Sequence, residues 1–303
     1  MSKLYQPGIF EGVPAVARYV SFNLANDVHT QDVRDALTRL SPLANGCDVV
    51  LGIGPSLVKA LGAQVPGLHE FPEMSGEGAK VPSTPGTLWC WVRGDDLGDL
   101  LHLTRKVQQA LAPAFVIRHV VDAFRHQLGE SGHGRDLTGY EDGTENPSGE
   151  AAEEAAFATG MGDGLDGSSY VAVQQWLHDL DAFEALGDEA RDHHIGRRLS
   201  DNEELDDSPT SAHVKRTAQE DFDPPAFMLR RSMPWMMNMQ AGLMFVAFGR
   251  SLYAFEAQMR RMAGLDDGIV DAMFSISRPV NGAYFWCPPM RDGKLDLRQL
   301  GLG

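Results

Sequence analysis

Two successive series of alternating strand-like and helix-like segments make up this chain, and a polar stretch rich in Gly, Asp and Glu at 129–167 lies between them. Apolar alternation at period two predicts strands, and apolar spacing of three to four residues predicts helices. The first series has strands at 15–24, 48–52, 87–92 and 115–124, with helices at 30–40, 55–61 and 95–111. The second has strands at 169–176, 226–232, 242–249 and 282–287, with helices at 179–186 and 251–263.

This order of segments favours a duplicated architecture. Runs of strands with helices on one face are typical of α+β sandwiches. We therefore predict an α+β protein with two ferredoxin-like domains, each a four-stranded antiparallel sheet with helices on one face. The predicted domains are residues 1–145 and 146–303, and a length of 303 residues suits two domains of about 150 residues each.

The composition is that of a globular protein, with 43% hydrophobic and 22% charged residues. A formal net charge of −16 argues against a nucleic-acid partner, which normally requires a concentrated basic face. No apolar run is long enough to span a membrane and the start has no export signal, so we expect a cytoplasmic protein without a membrane partner. The three cysteines are far apart and predict neither a disulfide framework nor a zinc knuckle.

A polar loop at 135–146 places Asp142 between Gly139 and Gly143. Glycines allow the backbone to approach a ligand closely, so the loop is able to aim one carboxylate at a bound molecule. The alternative is an ordinary surface turn, because Asp-Gly and Asn-Pro are common turn dipeptides.

His213 follows a proline-containing polar turn and precedes a segment that we expect to be extended. No second histidine lies three or four residues away, so a zinc pair is not expected. A single imidazole suffices for haem iron, because the porphyrin supplies the four equatorial ligands. A hydrogen-bonded structural histidine is the alternative.

Arg230 and Arg231 interrupt an apolar segment, and strand alternation predicts that they point to opposite faces. The inward guanidinium requires an anionic partner or a ligand, because an isolated buried charge is costly. The alternative is a salt bridge to one of the chain's many carboxylates.

Four short motifs follow one another along the chain. They are GYEDG at 139–143 continuing into TENP, IGR at 195–197 followed by the acidic stretch DNEE at 201–204, SAH at 211–213, and RRSMP at 230–234. Together they resemble the dye-decolourising peroxidase family, most closely its short bacterial cytoplasmic branch, the B-type, over about residues 5 to 290. This chain differs in carrying Ala212 between the serine and the histidine, Tyr140 in place of the usual phenylalanine, and Trp235-Met236 in place of a common Tyr-Gly pair.

The resemblance implies two ferredoxin-like domains of the dimeric α/β barrel superfamily, with haem b bound mainly by the second. It makes His213 the axial iron ligand and places Asp142, Arg230 and Ser232 on the catalytic, distal face. Asp271 stands where relatives carry a carboxylate that hydrogen-bonds the axial imidazole. The cofactor-binding residues implied are Gly143, Thr144, Glu145, Arg197, Arg230 and Asp271, although an ordinary surface ion pair is the alternative for Arg197.

The activity implied is a peroxidase that uses hydrogen peroxide to oxidise dyes, phenolics and other one-electron donors through a ferryl intermediate. Asp142 would move the peroxide proton and Arg230 would stabilise negative charge. Large donors would be oxidised at the haem edge or through a surface aromatic residue. Trp176, Trp235 and Tyr253 are candidate relays, with simple packing as the alternative.

Three other interpretations stay open. One is an enzyme of related architecture, such as a chlorite-dismutase-like or coproporphyrin-processing protein, against which the GxxDG loop argues. Another is a haem-binding or haem-iron-handling protein in which peroxidase activity is incidental. A third role is that of cargo in a protein shell, since some family members are encapsulated through a C-terminal peptide. The family also implies a homo-oligomer.

Overall fold

The computed structural model describes residues 4–129 and 131–302. The strands are β1 (Val16–Leu24), β2 (Val49–Ile53), β3 (Met74–Gly76), β4 (Ala79–Val81), β5 (Leu88–Gly94), β6 (Phe115–Phe124), β7 (Ser169–His178), β8 (Leu229–Arg230), β9 (Met233–Met237), β10 (Gln240–Gly249), β11 (Ser277–Pro279), β12 (Ala283–Cys287), β13 (Met290–Arg291) and β14 (Lys294–Leu295). The helices are α1 (Pro7–Phe10), α2 (Thr30–Leu40), α3 (Pro55–Ala60), α4 (Leu97–Leu111), α5 (Gly149–Ala156), α6 (Leu180–Glu184), α7 (Asp188–Ile195), α8 (His213–Thr217) and α9 (Tyr253–Met262). Short 3-10 turns occupy Gln219–Asp221, Ala272–Ser275 and Arg298–Leu300.

Eight strands form a closed antiparallel barrel. Its first half has the order β2-β5-β1-β6 and its second half the order β12-β7-β10-β9. When the four strands of each half are numbered along the chain, both halves show the order 2-3-1-4, which is the ferredoxin-like arrangement. The prediction of an α+β protein with two ferredoxin-like sheets is therefore confirmed, whereas the exact boundary at residues 145 and 146 stays a prediction.

The two halves join along two narrow seams. Ala123 of β6 pairs with Trp235 of β9, and Trp286 of β12 pairs with Ile53 of β2. By contrast, β1 and β5 are paired over seven residues within the first half. Each half is thus a sheet with its own extensive pairing, and closure into a barrel adds only a few backbone contacts.

Strand alternation separates two apolar cores. On β5, Leu88, Cys90 and Val92 belong to the core that packs under the helices, whereas Trp89 and Trp91 belong to the core inside the barrel. Successive residues of a strand point to opposite faces, so a fully apolar strand fills both cores at once. This explains why β2 and most of β5 are buried along their whole length.

Two sequence-based element assignments are wrong. The strand predicted at 226–232 occurs instead as Met233–Met237, with only the two-residue β8 before it. The segment after His213 was expected to be extended, but His213 is the first residue of the short helix α8. The strand β9 pairs with β10 over Met233–Met237. The segment at 226–229 is as apolar as β9, so apolar content alone could not locate where the strand begins.

Candidate active site

The loop that carries Asp142 has an irregular backbone held by glycines. Gly139 and Gly143 adopt φ angles of +92° and +89°, a region that favours glycine because other residues meet a steric penalty there. The amide of Asp142 donates to the carbonyl of Gly134 at 2.9 Å. The main chain of the loop is thus fixed around the half-buried Asp142 side chain.

Asn146 couples this loop to the segment that carries Arg230. Its side-chain oxygen accepts from the Arg230 amide at 2.7 Å, and its side-chain nitrogen donates to the Arg230 carbonyl at 3.1 Å. Two hydrogen bonds to the backbone of one residue fix both the distance and the orientation of the loop relative to the Arg230 segment. The positions of Asp142 and Arg230 therefore depend on each other, and the sequence had offered no signal for the role of Asn146.

His213 stands at the start of α8, and its ring is oriented by a buried carboxylate. Its Nδ1 lies 2.8 Å from Oδ2 of Asp271, whose side chain is inaccessible to solvent. The other carboxylate oxygen accepts from the amide of Met273 at 2.8 Å. A carboxylate acceptor requires the proton to sit on Nδ1, which leaves a lone pair on Nε2 for a metal ion.

These residues converge on one cavity with apolar walls, here called the apolar cavity. His213, Asp142 and Arg230 line it, and its walls include Trp176, Leu243, Phe245, Phe255 and Met259. Within residues 4–129 and 131–302, neither the Asp142 carboxylate nor the Arg230 guanidinium makes a side-chain hydrogen bond or an ion pair. Two opposite charges that face one cavity without partners indicate a site built for a ligand.

A second, polar cavity lies on the other side of the same pair. Asp142 and Arg230 line it together with Gly143, Thr144 and Ser232. The hydroxyl of Ser232 accepts only a long hydrogen bond, 3.5 Å from the Val246 amide. Three predicted site residues thus lie beside the polar cavity rather than in the apolar one.

Arg231 differs from its neighbour in its contacts, although it lies between β8 and β9 rather than within the predicted strand. Its guanidinium donates to the carbonyls of Ile9 and Phe10 in α1, at 3.1 and 2.7 Å. Burial, together with the nearby charge of Arg93, lowers the pKa of Arg231 to about 10. Arg231 therefore anchors α1, whereas Arg230 stays available to the site.

Glu145 and Arg197 do not line either cavity. Arg197 forms ion pairs with Glu145 at 2.6 Å and with Glu204 at 3.4 Å, and it also donates to the Asn202 carbonyl at 2.9 Å. The ion pair that the sequence left as an alternative for Arg197 is thus what the structure contains.

Sequence reasoning missed a buried chain of polar groups in the wall of the apolar cavity. His178 lies 3.1 Å from Asp136 through Nε2 and 2.6 Å from the Ser277 hydroxyl through Nδ1. Burial alone would raise the pKa of Asp136, but the charge of His178 and hydrogen bonds from His178 and Thr138 outweigh it and lower that pKa to about 2. These residues are far apart in sequence, so no motif could have indicated the pair.

The substitution at Tyr140 also has a structural explanation. Its hydroxyl donates to Asp192 of α7, and the Leu199 amide donates to the same carboxylate oxygen at 3.0 Å. Burial, and then the hydrogen bond to Asp192, raise the pKa of Tyr140. A phenylalanine would lack this bond, so Tyr140 adds an anchor for the loop that carries Asp142.

Comparison with known proteins identifies the family. Residues 25–125 match the family described as Dyp-type peroxidase, N-terminal, and residues 133–292 match Dyp-type peroxidase, C-terminal. The chain belongs to the Dyp-type peroxidase family. This confirms the resemblance seen in the motifs, and with it the peroxidase class.

Several relatives share the dye-decolorizing peroxidase name. The chain is 30% identical to one from Mycobacterium tuberculosis over 84% of this chain and 80% of that protein, and 31% identical to one from Rhodococcus erythropolis over 85% and 79%. A relative from Mycolicibacterium paratuberculosis is 33% identical, but the matched region spans 63% of that protein.

Solved structures show the same fold. A dye-decolorizing protein from V. cholerae has a TM-score of 0.83 and 27% identity, with 97% of this chain and 98% of that chain covered. A Rhodococcus jostii DypB variant solved in complex with heme has a TM-score of 0.81 and 26% identity, with 92% and 94% covered. No helix in the described part of the chain combines the length and apolarity needed to cross a membrane.

Proposed function

We propose that this chain is a haem b peroxidase in which His213 would hold the iron and Asp142 and Arg230 would act on hydrogen peroxide. The observation that carries the proposal is the apolar cavity, where an oriented imidazole and two unpaired, oppositely charged side chains face the same space. Membership of a peroxidase family and a relative solved in complex with heme support the choice of cofactor.

The residues of this cavity fit haem by the chemistry of their donors. His213 presents one nitrogen with a lone pair, and the walls supply apolar and aromatic surface suited to a porphyrin. Within the described residues, no group of three or more His, Cys, Asp or Glu side chains is arranged to hold a metal ion. One protein ligand is therefore the coordination that the site offers, and haem needs no more than that on one face.

Haem b, when bound, would supply the iron centre that exchanges electrons with peroxide and with the donor. Asp142 would accept the proton from one peroxide oxygen and return it to the other, so that water leaves when the O–O bond breaks. Arg230 would stabilise the negative charge that develops on the departing oxygen. Because neither group forms an ion pair with another of the described residues, both are free to bind peroxide.

Asp271 would act through His213 rather than on the substrate. Its hydrogen bond keeps Nδ1 protonated and directs Nε2 into the cavity. The partial negative charge that the imidazole gains would favour oxidised iron. Asp271 is buried and His213 is partly exposed. Their hydrogen bond favours a peroxidase over a simple haem carrier, because a carrier does not need its iron held in the oxidised state.

Dyes, phenolics and other one-electron donors would be the reducing substrates. We also propose a cytoplasmic location and a homo-oligomeric state, as expected for this family. A relative from Mycobacterium smegmatis is described as an encapsulated DyP-type peroxidase. This supports a shell protein as a candidate partner of this chain, which co-purification would test. The matched structure of that relative has a TM-score of 0.84 with 27% identity.

The proposal is tested by the haem absorption spectrum of His213→Ala, followed by rapid mixing with hydrogen peroxide. We expect the parent to bind one haem and to show a fast spectral change with peroxide, and the variant to lose the axial-ligand spectrum. His102→Ala, on the exposed face of α4, is the matched control and should behave like the parent. Stoichiometric haem binding without a fast peroxide reaction would favour the haem-handling alternative, and absence of haem binding would refute the proposal.

A further inference from the structure

A second cleft lies just outside the apolar cavity, on the solvent side of the segment 274–278. We call it the outer cleft, and its lining includes Asp179, Asp181, Met239, Phe274, Ser275 and Arg278. Its volume of about 390 Å³ lies within the range of roughly 300–1,000 Å³ typical of small-molecule sites. None of these residues belongs to the peroxide site described above.

Only one layer of side chains separates the outer cleft from the apolar cavity. His178 and Ser277 line both spaces. The 3-10 turn Ala272–Ser275 lies between Asp271 and β11. In this turn, Met273 faces the apolar cavity whereas Phe274 faces the outer cleft. A molecule in the outer cleft would therefore lie close to the cavity without entering it.

An aromatic pair crosses this wall. Trp176 lines the apolar cavity and is 6% exposed, and its ring centroid lies 5.3 Å from that of Phe274, with the planes tilted by 48°. Of the three aromatic residues that the sequence suggested as relays, Trp176 is the one that lines this cavity. Trp235 instead donates to the Trp176 carbonyl, and Tyr253 donates to the Pro224 carbonyl.

We propose that the outer cleft binds small uncharged phenols and that Trp176 passes their electrons into the apolar cavity. The inference rests on the proposed peroxidase function and names a site for its donor. The ring of Phe274 offers a stacking surface, and Asp181 and Arg278 offer an acceptor and a donor for the phenolic hydroxyl. Because carboxylates and a guanidinium both line the cleft, a neutral aromatic suits it better than a strongly charged one.

The overall reaction balances with the oxidant that the peroxidase activity supplies. Each phenol gives up one electron and its hydroxyl proton to become a phenoxyl radical. Two electrons and two protons reduce one hydrogen peroxide to two water molecules as its O–O bond breaks. Trp176 would be oxidised by one electron and then reduced by the phenol, so that it is unchanged after each transfer.

The first test asks whether Trp176 is oxidised. The holoenzyme is mixed with peroxide and a nitroso spin trap without any donor, and the peptides are mapped by mass spectrometry. We expect a trap adduct on Trp176, and we expect phenol added beforehand to suppress it at least fivefold. Trp176→Phe, which keeps an aromatic ring beside Phe274, should lack that adduct. Adducts confined to other residues in the parent would overturn the relay.

The second test asks whether phenol binds in the outer cleft. Ser275→Trp would fill the cleft from its exposed rim, and Ser75→Trp on the exposed face of β3 is the matched control. Phenol binding is measured directly by saturation-transfer NMR and by isothermal titration. We expect Ser275→Trp to weaken binding at least fivefold and Ser75→Trp to leave it unchanged. Equal affinity in parent, variant and control would refute the cleft.

The two proposals fail in distinguishable ways. The rate of the spectral change with peroxide alone does not involve the outer cleft, so it should be the same in the parent and in Ser275→Trp. If the parent does not react with peroxide, the proposed function fails. If the parent reacts normally but phenol binding and the Trp176 adduct are absent, only the donor site fails.

Discussion

Replacing Asp271 by Asn removes one hydrogen bond while leaving the size and shape of the side chain nearly unchanged. Asp271 uses both oxygens as acceptors, one from Nδ1 of His213 and one from the Met273 amide, each at 2.8 Å. An asparagine has a single side-chain acceptor oxygen. If that oxygen faces Met273, its NH₂ group faces Nδ1 and favours the tautomer whose Nε2 carries the proton and cannot bind iron. If it faces His213, two donors confront each other at Met273.

Either orientation leaves one buried group without its partner, at a cost of about 1–3 kcal/mol. We expect this cost to appear mainly in haem binding, because the ligand tautomer is what haem selects. At 25 °C it corresponds to a loss of about 5- to 150-fold in haem affinity. That range includes the roughly 10–100-fold loss typical when a partner of a metal-binding histidine is removed.

Haem affinity of Asp271→Asn is measured by spectrophotometric titration of the haem-free protein, with thermal unfolding followed in parallel. Asp266→Asn is the matched control, since Asp266 lies in the same loop but pairs with Arg260 at the surface. If Asp271→Asn binds haem as tightly as the parent and as Asp266→Asn, the assignment of Asp271 as the positioning partner of His213 is incorrect.

Three further outcomes are expected. The pKa of Asp136 is lowered from 3.8 to about 2 by its contacts with His178, so this pair stabilises the fold above about pH 4 and loses that contribution as the pH falls toward 2. The shift corresponds to about 2 kcal/mol. The free energy of unfolding of Asp136→Asn, measured with denaturant, should therefore depend less on acid pH than that of the parent. Gly143→Ala should slow the peroxide reaction measured by rapid mixing. The φ angle is +89° at this position, so an alanine there either destabilises the fold by about 1 kcal/mol or moves the loop that carries Asp142. Unchanged kinetics together with unchanged stability would contradict this account. Ser232→Ala should change the free energy of unfolding by less than about 0.5 kcal/mol, since its one hydrogen bond is 3.5 Å long, and chemical denaturation would detect a larger effect.

Local patterns in the sequence were sufficient for most of the fold. Alternation identified β1, β5, β6, β7 and β10 within a few residues, and spacing of apolar residues identified α2, α4 and α9. These elements are long and strongly periodic, so their own side chains determine their type. The short helices α5, α7 and α8 were missed, because polar residues and alanines dominate them and they have little apolar periodicity of their own.

For the site, the chain itself determined which groups exist: the motifs singled out Asp142, His213 and Arg230, and the family resemblance added Asp271. Only the tertiary structure decided that the first three share one cavity and that Asp271 orients His213. The structure also decided that Arg197 is held by carboxylates and that His178 joins Asp136 in the cavity wall. These pairings join residues that are 58, 52 and 42 positions apart (His213 with Asp271, Arg197 with Glu145, His178 with Asp136), so they depend on how the loops and helices pack around the barrel. A hydrogen bond depends on distance and angle in space, and one-dimensional spacing within a strand or helix carries that information only for near neighbours.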